Sequence, residues 1–188
     1  LHDIESYHAH SMVFTRFDYS TGDAAGQNMV SRATFIACEW INEQRPEMLH
    51  YMLSGNFDTE KKTSSVNLLK TRGKRVTAEI TVPREILMKH LRVAPEQIAY
   101  GQQISTLSAI LTNSSNNANH PANALAALYL ATGQDVANIG ESNQCTTYQR
   151  ATSKGDFYFS ITLPAVIMAT YGGGTALPTQ RECLRMLG

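Results

Sequence analysis

The chain has 188 residues, 43% of them hydrophobic and 17% charged, with 16 Lys+Arg against 16 Asp+Glu and a formal net charge of zero. These values describe one or two globular domains with a sizeable core and exclude a disordered chain. Without a basic excess a nucleic-acid partner is not expected, although a few local lysines can still serve a small anion.

The three cysteines, Cys38, Cys145 and Cys183, are odd in number and lack metal-site spacing. They point to a reducing, cytoplasmic compartment rather than a disulfide framework, and no metal is expected. No apolar run approaches the roughly 20 residues of a membrane helix; an anchor outside this stretch is left open. Leu1 is not an initiator methionine and no signal-peptide pattern follows it, so the chain is expected to be an internal piece of a longer protein.

Residues 11–20 alternate, with Val13, Thr15, Phe17 and Tyr19 on one face, and predict a strand. Thr21-Gly22-Asp23 turns the chain. From Ala24 the period changes: Met29, Ala33, Ile36, Ala37, Trp40 and Ile41 predict an amphipathic helix ending near Pro46. Residues 52–63 are polar and turn-rich and read as a linker or active-site loop. A strand is expected over 75–83, a short helix over 84–91, a polar loop over 113–119 and a buried Ala/Leu-rich helix over 121–132. A strand over 157–163 precedes a second apolar run at 165–171. Thr179-Gln180-Arg181-Glu182 fits a capping box opening a terminal helix. The mixed order makes the fold class α+β.

Four segments carry polar groups with more than one reading. Asp23-Ala24-Ala25-Gly26-Gln27-Asn28-Met29 lies between a strand and a helix. Free N–H groups there can receive a phosphate, or Asp23 can simply be the helix N-cap. In Glu60-Lys61-Lys62 a partly dry lysine would stabilise an oxyanion, whereas two adjacent lysines are also an ordinary solvated pair. In Gly133-Gln134-Asp135 the carboxylate either finds a partner at the end of a buried segment or caps residues 136–140. Upstream, His120 and Asn123 share a helix face or are only helix-start residues. Gly172-Gly173-Gly174-Thr175 can wrap an anion with its amides or form a flexible turn. No glycine pattern matches a dinucleotide fingerprint or a Walker loop.

Taken together and in this order, the segments closely resemble the 3-hydroxy-3-methylglutaryl-coenzyme A (HMG-CoA) reductase family. The resemblance is carried by Arg16 and Asp23-x-x-Gly26-x-Asn28, by Ser54-Gly55-Asn56 with Glu60-Lys61-Lys62, and by Arg72-Gly73-Lys74 with Glu79. It continues through His120-x-x-Asn123, Gly133-Gln134-Asp135, Gly172-Gly173-Gly174-Thr175 and Cys183-Leu184-x-x-Leu187-Gly188. It implies a small ferredoxin-like NADP(H)-binding domain, of which residues 1–52 are the rear part, joined to a helix-rich large domain over 53–188 that binds the coenzyme A thioester. It also implies a homodimer or larger homo-oligomer, and a two-step reduction of HMG-CoA to mevalonate with NADPH, NADH remaining open.

By the same resemblance Lys61 stabilises the developing oxyanion and Asp135 tunes it. Ser54, Glu60, Lys62, His120 and Asn123 face the substrate, and Asp23, Gly26, Gln27, Asn28, Met29, Gln134, Gly172 and Gly173 face the cofactor. A glutamate before residue 1 and a histidine after residue 188 complete the family's chemistry, so this stretch alone is expected to be inactive. The alternative is a non-catalytic binding or interaction module that keeps the reductase fold. Ala25 and Gln27 stand where many members have methionine, and Gln102 and Gln103 where some have a substrate-contacting lysine. These departures bear on affinity and cofactor preference.

Overall fold

A computed structural model describes residues 1–118 and 120–188; residue 119 of the anticipated polar loop lies outside them. The chain opens with an antiparallel hairpin, β1 (Asp3–Ala9) and β2 (Met12–Asp18), in a register running from Asp3 opposite Asp18 to Ala9 opposite Met12. The second strand agrees with the alternation read above. The first was not anticipated, because its sequence has little alternation and its turn lacks a glycine signal. His10 instead adopts a left-handed φ of 54°.

Helix α1 (Gln27–Gln44) follows the expected period. Its N-cap is Gly26, at φ 78°, with no side-chain cap, so the reading of Asp23 as the cap is corrected. Asp23 lies too early, and its main-chain carbonyl serves another segment. None of the residues of α1 is buried, and Met29, Ile36 and Trp40 leave an apolar stripe open. A short helix α2 (Ser65–Leu69), not anticipated, is capped by Ser64, whose Oγ accepts from Val66 N–H at 3.1 Å.

The larger sheet has order β3-β5-β4, all antiparallel. Its strands are β3 (Lys74–Val82), β4 (Thr146–Ala151) and the central β5 (Phe157–Val166). Between β3 and β4 run α3 (Arg84–Leu91), α4 (Pro95–Thr112), α5 (Pro121–Thr132), a 3-10 turn (Val136–Asn138) and the single-turn α6 (Ile139–Ser142). Helices α3 and α5 have the bounds read from the sequence. A second 3-10 turn (Gly173–Ala176) leads to α7 (Pro178–Leu187). That terminal helix exists, but the capping box does not. Leu177 is the N-cap without a side-chain bond and Pro178 takes the first helical position, where a missing N–H costs nothing, so Thr179 falls inside the helix. The architecture is mixed helix and sheet, as expected for α+β, and among the described residues no helix is long and apolar enough to cross a membrane.

The core gathers Leu87, Leu125, Tyr129, Cys145, Phe157 and residues 165–167. Tyr129 is fully buried; its hydroxyl donates to Ser142 Oγ at 2.8 Å, and that oxygen accepts from Ile167 N–H at 3.1 Å. This chain ties α5, α6 and the end of β5 together, immediately behind the candidate site. Tyr129→Phe removes one buried hydrogen bond and is expected to cost about 1–2 kcal/mol, read as a lower midpoint in urea with an unchanged slope.

Candidate active site

The loop between α1 and α2 is anchored from Phe57 onward. Phe57 stacks on Tyr7 and Phe14 of the hairpin, with ring centroids 4.7 and 5.0 Å away. Asn67, 2% exposed on α2, accepts from Thr59 Oγ1 at 2.7 Å and donates to the Lys62 carbonyl at 3.3 Å. Ser54 Oγ donates to Asp58 Oδ2 at 3.0 Å, and Lys62 Nζ donates to the Glu60 carbonyl at 3.1 Å. Asn56, Thr59 and Lys61 all have left-handed φ values, 65°, 55° and 58°. Such strain persists only where the surroundings over-determine it, which is common at binding and catalytic loops.

Lys61 Nζ lies 3.0 Å from Asp135 Oδ2, with side chains 41% and 40% exposed. Asp135 therefore does both things that its sequence context allowed. Oδ2 meets the ammonium, while Oδ1 accepts from Ala137 N–H at 3.0 Å and caps the 3-10 turn. The hydrogen bond from Lys61 holds the Asp135 carboxyl below the usual carboxylate range, against a smaller opposing effect of burial. The same bond raises the Lys61 pKa. The result is a charged, part-open ammonium whose direction is set by a capped carboxylate.

Gly140 fixes the other side of Lys61. A Cβ on Gly140 would sit 2.4 Å from the Lys61 carbonyl oxygen, a main-chain contact that no side-chain rotation relieves. Gly140→Ala is expected to force the Lys61 main chain aside at a cost of about 1–3 kcal/mol, read as a lower melting temperature. A melting temperature equal to the parent's would contradict this.

The segment at the start of α1 runs beside the glycine triplet. The Asp23 carbonyl accepts from Thr170 and Tyr171 N–H at 2.9 and 3.2 Å. Gly172 and Gly173 have positive φ and open space where a Cβ would be. Gln134 is engaged on both sides of its amide: Nε2 donates to the Ala169 carbonyl at 2.9 Å and Oε1 accepts from Ala169 N–H at 2.8 Å. Gly133, at φ 70°, ends α5 in such close contact that a Cβ would lie 2.4 Å from the Gly174 carbonyl. Gln27 Nε2 donates to Asn138 Oδ1 at 3.0 Å, and Asn138 N–H donates to the Asp135 carbonyl at 3.0 Å. The segments holding Asp23, Gln27, Gln134, Asp135, Gly172 and Lys61 are thus neighbours. Asn28 and Met29, in the first turn of α1, are exposed.

His120 and Asn123 make no side-chain hydrogen bond to these segments among the described residues. Both are exposed at the start of α5, where His120 is the N-cap residue. His120 also lines a cleft of about 560 Å³ between α4 and the β4–β5 face, with Gln102, Asn117 and Thr147. Among the described residues neither side chain bonds to Lys61 or Asp135, and no group of three or more His, Cys, Asp or Glu is placed to hold a metal. Sequence reasoning missed Asn67, Asn138 and Glu141, all buried. No local signal marked Asn67, and the i, i+3 spacing of Asn138 and Glu141 shows only that the two share a face.

Fold and site together define an α+β protein that presents a lysine ammonium, aimed by a carboxylate, next to a glycine-lined helix start. The family model for hydroxymethylglutaryl-coenzyme A reductase matches residues 1–188. The chain belongs to that family. It is 41% identical over 189 residues to the 3-hydroxy-3-methylglutaryl-coenzyme A reductase of Pyrococcus abyssi, covering 100% of this chain and 46% of the relative. It is 44% identical over 182 residues to that of Methanothermobacter thermautotrophicus, covering 96% and 45%, and 41% identical over 179 residues to reductase 2 of Dictyostelium discoideum, covering 94% and 34%. The chain thus spans under half the length of these curated relatives.

Proposed function

We propose that the protein containing this chain reduces HMG-CoA to mevalonate and free coenzyme A, consuming two NADPH. The observation that carries the reading is the 3.0 Å Lys61–Asp135 pair, part open to solvent and bordered by the Asp23–Gln27 and Gly172–Gly173 segments. The nicotinamide supplies a hydride at each of the two reductions. Reduction of a thioester carbonyl builds negative charge on oxygen, and Lys61 is the cation that meets it. Asp135 keeps Lys61 charged and aimed. Ser54, Glu60 and Lys62 lie on the same loop and bind the acyl part, and His120 and Asn123 bind the substrate from the start of α5.

The cofactor fits the residues present. Free N–H groups at the start of α1, with Gly26 before them, suit an anionic phosphate, and the open space over Gly172 and Gly173 admits a ligand close to the backbone. Asp23, Asn28 and Met29 face it, while Gln134 supports the glycine segment through Ala169. In this reading residues 1–52 belong to a ferredoxin-like cofactor domain and 53–188 to the substrate domain. A second subunit covers apolar surface such as the open stripe of α1.

The test uses the full-length protein. HMG-CoA-dependent oxidation of NADPH should yield mevalonate at one per two NADPH consumed. NADPH oxidation that does not need the thioester, or none at all, would overturn the reading.

A further inference from the structure

Glu141 is fully buried, yet it lies outside the residues assigned above. A buried carboxylate is costly unless it is paired and hydrogen-bonded. Its Oε1 accepts from Arg72 NH1 at 2.9 Å and from Asn138 Nδ2 at 2.8 Å. Each donor leads on to one half of the site. Arg72 Nε donates to the Asp58 carbonyl at 3.2 Å, within the loop that presents Lys61. Asn138 Oδ1 accepts from Gln27 Nε2 at 3.0 Å, at the first residue of α1. Between the two anchors sits Gly140, pressed against the Lys61 carbonyl.

We propose that Glu141 and Asn138 are positioning residues: the buried carboxylate clamps the segment beginning at Gln27 to the lysine loop and so sets the distance between cofactor and ammonium. The inference rests on the reading proposed above. The other Glu141 oxygen, Oε2, is buried without a hydrogen-bond partner, so this network fixes geometry at some cost to stability rather than adding to it. Hydride transfer is sensitive to that geometry, so loosening the clamp weakens the use of NADPH before it weakens the grip on the thioester.

The experiment is a double-mutant cycle in the full-length protein, with melting temperature measured for every variant. Asn138→Ala and Gln27→Ala are each expected to lower kcat/KM for NADPH about tenfold, leaving the thioester KM within about twofold, and the double variant should be no worse than either. Glu141→Ala removes the shared acceptor and should show the same loss of about tenfold, whereas Glu141→Gln keeps an oxygen that accepts from both Arg72 and Asn138 and should bring the value back to within about threefold of the parent. If Asn138→Ala does not fold, Gln27→Ala and Glu141→Gln still decide. Additive losses, or a lower melting temperature with unchanged kcat/KM for NADPH, would overturn the clamp. Direct NADPH binding, followed by its fluorescence, separates the two claims. If the parent binds NADPH without reducing HMG-CoA, the substrate reading fails while the same cycle on Kd still judges the clamp. If it neither binds nor reacts, both fall.

Discussion

Lys61→Ala in the full-length protein is expected to lower kcat for HMG-CoA reduction about a thousandfold or more, with little change in melting temperature. The first half follows from where charge develops. Removing a single neutral oxyanion donor costs roughly 10²–10³ in rate, and a charged donor makes the stronger hydrogen bond to an oxyanion. The second half follows from exposure. The Lys61 side chain is 41% exposed and meets one partner, Asp135, which is itself 40% exposed and keeps its cap on Ala137. An exposed ion pair contributes little to stability, so the loss should be catalytic. Removing the long side chain leaves φ 58° at position 61, which alanine tolerates no better than lysine, so the loop is held by Asn67 and Gly140 as before. NADPH affinity should stay within about threefold, because among the described residues Lys61 Nζ pairs with Asp135 and with no group of the Asp23–Met29 or Gly172–Gly173 segments. Turnover within tenfold of the parent would remove Lys61 from the chemistry.

Local pattern explains which parts of this structure were legible in the sequence. Helix α5 begins with Pro121 and ends at Gly133, the two strongest punctuation residues, and its bounds emerged unshifted. Strand β3 alternates along its length and was found for the same reason. Strand β1 was missed because Asp3, Glu5 and His8 leave no apolar face; β2 alone makes it a strand. Helix α4 was also missed. Its apolar residues wrap around the axis, yet Pro95 at its first turn was a start signal that went unread. At the site, Lys61 and Asp135 were singled out as chemistry, but each had an equally ordinary local reading. Only the tertiary fold brings Nζ to Oδ2 and shows that capping and pairing coexist on different oxygens. Glu141 was invisible for the opposite reason. A glutamate in a short polar stretch reads as solvated, and nothing local reveals that Arg72 arrives from the start of β3 to neutralise it.

Asp135→Asn should separate charge from shape at the same pair. Asparagine keeps an oxygen able to cap Ala137, so the 3-10 turn and the packing of Gly140 on Lys61 should survive. What is lost is the negative charge beside the ammonium. In the parent, the hydrogen bond to Asp135 lifts Lys61 above its ordinary pKa of 10.5, and partial burial opposes the rise. With the carboxylate gone, burial remains and the largest lift is lost, leaving only the weaker pull of the Glu60 and Glu141 charges, so the basic limb of the kcat profile should move to lower pH. Asp135 is depressed below its ordinary value of 3.8. The pair's contribution to the folded state is therefore whole above that value and below 10.5. It fades as pH falls through the depressed carboxyl pKa, and as pH rises through the raised lysine pKa. The variant should lose that dependence at both edges. At neutral pH the expected drop in kcat is about a hundredfold, arising from a lysine no longer aimed by a charged partner. A variant whose rate and basic limb both coincide with the parent's would show that Asp135 caps the turn and does nothing to the lysine.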